Sequence, residues 1–151
     1  MTRNETDWAA LILDSHLRLL GRPLADLALE GQALLDWLRD DAPFCVLAHD
    51  ASEDPCFVYA NAATLRCFGF ARDEFLGMPS RLSAEAPRRE EREALLADVR
   101  RQGFSTGYRG LRIGKQGQRF WIEDVTVWNL IENGERVGQA ATYRRITPAQ
   151  L

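Results

Sequence analysis

The hydrophobic period of this chain changes at Phe44. Before that residue apolar side chains return every three or four positions; after it they alternate in short runs of period two. Residues 5–20 place Trp8, Leu11, Ile12, Ser15 and Leu19 at helical spacing, with Leu13, Leu17 and Leu20 widening the stripe. Gly21 and Pro23 end that helix. A second helix is predicted from about Pro23 to Arg39 through Leu24, Leu27, Ala28, Leu34, Leu35 and Leu38, with Gly31 weakening its middle. The pair is more apolar than a free surface helix needs, so it must cover something. Asp40-Asp41-Ala42-Pro43 breaks the second helix. The expected division is an N-terminal helical pair, 1–41, and a main domain, 42–151.

Within the main domain, helices interrupt the strands. Strands are expected near 44–49 and 56–60, joined by the polar turn Asp50 to Pro55. Asn61 is a good N-cap for a short helix, 62–68, that Gly69 closes. Another helical turn over 72–76 stops at Gly77 and Pro79, and 80–86 reads as irregular. Pro87 to Gln102 forms a longer helix with Ala94, Leu95 and Val99 on its apolar side. Three strands follow, at 104–113, 119–131 and 136–146. Asn133-Gly134 suits the tight turn before the last.

Composition narrows the function classes. With 151 residues, 46% of them hydrophobic, the chain can bury a core without metals or disulfides. Its formal net charge of −3 argues against a partner bound through nucleic-acid phosphates. No stretch approaches the ~20 apolar residues of a membrane span. The N-terminus lacks the charge order and cleavage site of a signal peptide, so a cytoplasmic, soluble protein is expected. Cys45, Cys56 and Cys67 include no C-x-x-C pair, and the histidines are His16 and His49. No metal site is expected, and the cysteines read as small buried hydrophobes.

The order of elements resembles a PAS domain. Phe57-Val58-Tyr59-Ala60-Asn61-Ala62-Ala63 resembles the second strand and Asn cap of that fold. Phe68 to Gly77 resembles its "F-G-Y-x-x-x-E-L-G" stretch, and Arg119 to Glu123 with the Glu132-Asn133-Gly134 turn resembles its fourth strand and last hairpin. A narrower match is to the MEKHLA domain, a PAS-like family. It rests on Gly77-Met78-Pro79-Ser80-Arg81-Leu82-Ser83-Ala84-Glu85, Val127-Trp128-Asn129-Leu130 and Gly138-Gln139-Ala140-Ala141-Thr142. The resemblance spans about 8–146. It implies an α+β fold: a five-stranded antiparallel sheet of order 2-1-5-4-3 with helices on one face, preceded here by two N-terminal helices. It also implies a cavity between sheet and helices and an outer face used for dimerisation. Phe57, Tyr59, Phe68, Phe75, Met78 and Phe104 fall on or beside the segments that roof such a sheet, and are the expected apolar ligand contacts.

The chemical candidates are few. Light-sensing PAS domains carry a reactive cysteine in an "N-C-R-F-L" segment. The corresponding residues here, Gly77 to Leu82, have none, and Ile122 follows Phe120-Trp121, so a photoactive flavin is disfavoured. Haem is disfavoured because the helix 87–102 has no histidine; His49, at the end of the first strand, is expected to face solvent. The run Arg88 to Glu93 reads as a solvated helix face. No catalytic set appears, and Glu123-Asp124 point to opposite faces of a strand. Alternation groups Phe120, Ile122, Asp124, Thr126 and Trp128 on one face of that strand and leaves open which face meets the helices. If this one does, Asp124 and Thr126 are ligand-binding candidates; the plainer expectation pairs Asp124 with Arg109 or Arg112.

The reading that follows is a sensory or regulatory module binding a small apolar or amphipathic ligand and signalling as a homodimer or through an unknown protein partner. The alternatives are a ligand-free interaction module, since Phe 7, Trp 4 and Tyr 3 are enough to fill a small cavity, and a small enzyme on a nuclear-transport-factor-like scaffold. The helical pair is the expected self-association element, through Trp8, Leu11, Ile12, Leu19, Leu27, Leu34, Trp37 and Leu38. The same residues also suit folding back onto the chain's own sheet.

Overall fold

The structure is a computed structural model and describes residues 3–84 and 89–149. The predicted helix start at Pro87 and the first residue of the charged run, Arg88, lie outside the described residues. Helix α1 spans Glu5–Leu20, and the Asn4 side chain accepts a hydrogen bond from the Asp7 amide to cap it. Helix α2 is Gly31–Asp40, about half the predicted length. The reason is local: Gly31 sits at φ +56, and a right-handed helix cannot run through a left-handed residue. Residues 21–30 are irregular instead.

Strands β1 (Cys45–Asp50) and β2 (Phe57–Ala60) form the expected hairpin, followed by α3 (Ala62–Phe68) and α4 (Arg72–Phe75). Ser80–Ser83 makes a 3-10 turn where irregular chain was expected. Helix α5 is Arg89–Gln102; Val99 is buried and Leu95 half-buried, but Ala94 is exposed. Then come β3 (Phe104–Ile113), β4 (Arg119–Glu132) and β5 (Glu135–Tyr143). The last predicted strand is broken at Arg144, and Arg145–Pro148 forms a separate β6.

The sheet order is β2-β1-β5-β4-β3, as expected, and β1 pairs with β5 from Cys45 against Tyr143 to Asp50 against Gly138. The sixth strand pairs with Phe120 to Glu123 of β4. Because β3 already occupies one edge of those residues, β6 takes the other, in line with β5.

Both faces of the sheet are covered. Helices α3, α4 and α5 lie over the inner face, where Cys45, Leu47, Phe57, Phe68, Phe75, Phe120, Ile122 and Val125 form one core. On the outer face α1 and α2 fold back: Trp8, Leu11, Ile12 and Leu38 pack with Val46, Tyr59, Trp128 and Leu130. Trp128 donates its indole N–H to the Ile12 carbonyl at 3.2 Å, and the Ile131 amide donates to Ser15 Oγ at 3.1 Å. Of the residues expected to drive self-association, Trp8, Leu11, Ile12, Leu19, Trp37 and Leu38 are thus engaged within one chain, and Leu27 is not. Leu17, Leu27 and Leu29 are the large apolar side chains among residues 3–40 that stay exposed.

His16 is buried in this outer core, edge-on to Trp128, with its Nδ1 2.9 Å from the Arg22 carbonyl. Burial holds its pKa below the ordinary 6.5 of a histidine. Stability is therefore complete above 6.5 and falls with pH below it, because the unfolded chain takes the proton first; the loss ends at the lowered folded value. Denaturant titrations from neutral pH to about pH 5 should show this loss, and H16Q should reduce it. An equally steep loss in H16Q would assign the acid sensitivity elsewhere.

Candidate functional site

A bulge in β4 decides which side chains face inward. Between the pairs Val125 with Tyr108 and Ile122 with Gly110, β4 advances three residues while β3 advances two. Glu123 and Asp124 thus oppose Arg109 alone, and Asp124 takes up φ +57. The extra residue inverts the alternation. Phe120 and Ile122 face the inner core before it and Val125 and Val127 after it, while Trp128 and Leu130 join the outer core.

The pocket lies on the inner face beyond this bulge. It has a volume of about 310 Å³, between β1, β3, β4 and β5 on one side and the 80–84 turn and α5 on the other. Leu47, Phe57, Val125, Val127, Ala141 and Leu95 make its apolar surface. Polar groups reach it from two ends. His49 and Gln139 stand at one, and Tyr108 and Arg112 come from β3.

His49 is a correction: it is half-buried in the pocket wall rather than turned to solvent. A register shift between Ala48 and His49 redirects the strand end, and His49 Nδ1 lies 2.8 Å from the Asp50 carbonyl. Burial lowers its pKa, so the imidazole is neutral at neutral pH.

The eight residues named from sequence separate. Phe57 lines the pocket. Phe68, Phe75 and Met78 fill the neighbouring part of the inner space. There Phe57 stacks on Phe75 at 4.2 Å between centroids, and Phe68 meets Phe75 at 5.4 Å and Phe120 at 5.1 Å. That aromatic cluster is packed solid, which confines the open volume to the α5 side. Tyr59 and Phe104 belong to the outer core, and the Tyr59 hydroxyl is buried there without a hydrogen-bond partner.

Asp124 and Thr126 are carried outward by the bulge. They line a separate outer cleft with His16, Arg22, Thr106 and Arg144. The expected ion pair is not made either: Arg109 binds Glu123 at 3.2 Å and stacks its guanidinium 3.7 Å above the Trp121 ring. Sequence reasoning missed His49, Tyr108, Arg112 and Gln139. For the β3 pair a signal existed in the spacing of Tyr108, Gly110 and Arg112, which places all three on one strand face.

The cysteines differ among themselves. Cys45 is buried, whereas Cys56 and Cys67 are half-exposed, and all three are free thiols. Hydrogen bonding between the Cys45 and Cys67 thiols pulls the first pKa down and pushes the second up. Among the described residues no group of His, Cys, Asp and Glu is arranged to hold a metal ion. No helix among them is long and apolar enough to cross a membrane.

The MEKHLA domain profile matches residues 6–148. The chain belongs to the MEKHLA domain family. That assignment covers α1 and α2 along with the sheet, so the MEKHLA match includes the helices packed on the outer face. Solved structures give the fold independently. A PAS domain from Colwellia psychrerythraea is 20% identical, with a TM-score of 0.61 over 74% of this chain and 92% of that one. An RNA-binding Light-Oxygen-Voltage receptor is 25% identical with a TM-score of 0.59, over 84% of this chain but 37% of its own. The light-state dimer of the fungal blue-light photoreceptor Vivid is 18% identical with a TM-score of 0.57, covering 87% and 91%. The search of curated proteins found no match. This MEKHLA chain therefore has a PAS-like fold.

Proposed function

We propose that this MEKHLA domain is a sensory or regulatory module that holds a small apolar or amphipathic ligand in the pocket between the inner sheet face and α5. The observation that carries this reading is the pocket itself: about 310 Å³ of open space floored by strand side chains, with His49, Gln139, Tyr108 and Arg112 at its polar ends. The reading assigns the chain no reaction of its own, and its output runs through a second copy or a protein partner. The light-state dimer of Vivid gives a precedent for the first route in that protein. The pocket's described residues include no cysteine, so they do not suit a thiol–flavin adduct.

The second reading is a ligand-free interaction module, favoured by the phenylalanine cluster that already fills part of the inner space. Native mass spectrometry on the purified chain separates the two. The expected result is a small molecule released on denaturation, or saturable binding of an apolar fluorescent probe, with either lost in A141F. Ala141 lines the pocket, so a phenyl ring there takes up its volume. A chain that retains nothing and binds no probe supports the interaction module.

A further inference from the structure

The charge inside the pocket is one-sided. Its described lining holds Arg81 and Arg112 but no aspartate or glutamate, and its His49 is neutral. Arg81 is neutralised by both oxygens of Asp54, at 3.1 and 3.3 Å. Arg112 has no such partner: among the described residues no carboxylate pairs with it, and its Nη1 donates to the Leu111 carbonyl at 3.0 Å. A guanidinium half-buried beside apolar surface without a counter-charge is costly unless something anionic completes it.

The local backbone brings a second donor to the same place. Tyr108, Gly110 and Arg112 share the inner face of β3, and with no side chain at Gly110 its two neighbours close over it. A Cβ built there would stand 3.0 Å from Arg112 Nη1 and 3.3 Å from the Tyr108 hydroxyl. The phenol and the guanidinium therefore meet over Gly110, at the edge of the apolar floor. A planar monoanion suits this pair, with one oxygen for the guanidinium and one for the phenol O–H. A phosphate dianion would call for more donors than one arginine and one tyrosine offer.

We propose that the ligand of this pocket is an amphipathic carboxylate, its carboxylate held by Arg112 and Tyr108 over Gly110 and its apolar part laid toward Val125, Val127 and Leu47. This rests on the ligand-binding reading above. The test is calorimetry on the full chain with octanoate and octanol, which share the tail and differ in the head group. Octanoate should bind at least tenfold more tightly than octanol. R112M should lower octanoate affinity by roughly ten- to a hundredfold, the range for a charged hydrogen bond lost, and leave octanol unchanged. Y108F and G110A, the second by pushing both polar ends aside, should each lower octanoate affinity in a chain whose thermal unfolding is otherwise normal. If octanol binds as tightly as octanoate, or R112M loses nothing, the carboxylate assignment is overturned while the pocket reading stands. If neither probe binds, the ligand-binding reading fails, and this assignment with it.

Discussion

N61A is expected to destabilise the domain by about 3–5 kcal/mol, because one side chain serves five partners and all of them are buried. Asn61 is fully buried at the junction of β2 and α3. Its Oδ1 accepts from the Val46 amide at 3.0 Å, the Thr64 amide at 3.2 Å and the Thr64 hydroxyl at 2.8 Å. Its Nδ2 donates to the carbonyls of Leu38 at 3.2 Å and Phe44 at 2.9 Å. It thus caps α3 and ties the end of α2 to the start of β1. Alanine leaves donors and acceptors in a site that water does not reach, at ~1–3 kcal/mol for each left unsatisfied. N61D separates the two halves of the network. It keeps the acceptor for α3 but aims a carboxylate oxygen at two carbonyls, so it should be nearly as damaging. Urea denaturation of the three proteins checks this. A loss below about 1 kcal/mol in N61A would reduce Asn61 to an ordinary cap.

Removing residues 1–41 is expected to abolish independent folding rather than to release a trimmed monomer. The deletion uncovers Val46, Tyr59, Trp128 and Leu130, each nearly inaccessible in the whole chain. At ~1.5–3 kcal/mol for each large apolar side chain, the loss is comparable with the ~5–15 kcal/mol that stabilises a typical domain. It also takes away the acceptors of the Trp128 indole and the Ile131 amide, which lie on α1. Far-UV circular dichroism and light scattering should show an aggregated or largely unfolded product. A folded, monomeric 42–151 fragment would mean that the outer sheet face is stable in water and that the helical pair is an accessory. W8A in the full chain gives the graded version: about 3–5 kcal/mol is expected for an aromatic removed from a core, with the fold retained.

The expected division at Asp41 follows a real change of period but does not coincide with a boundary of the core. Trp8 and Leu38 lie before it, Trp128 and Leu130 after it, and the four are in one cluster. Helical spacing shows that a face must be buried and leaves the partner open. The partner is the chain's own sheet.

The order of residues alone reveals what is local and periodic: the two helical stripes, the Asn61 cap, the turns, and the order of strands that the MEKHLA resemblance arranged into a sheet. Those features depend on neighbours within a few positions, so they are legible in a string of residues. Tertiary structure decided the rest. Gly31 split the second helix by taking a left-handed conformation, and Arg144 divided the last strand. The bulge at Asp124 changed the parity of β4, sending Asp124 and Thr126 outward and Val125 and Val127 in. A bulge is fixed by hydrogen bonds to strands far away in sequence, and a slip of one residue exchanges the two faces of everything beyond it. The phenylalanines expected around a ligand pack on one another, and the space remains beside Tyr108 and Arg112. The composition supplied the aromatics; only their packing in three dimensions decided which part of the inner space they would fill.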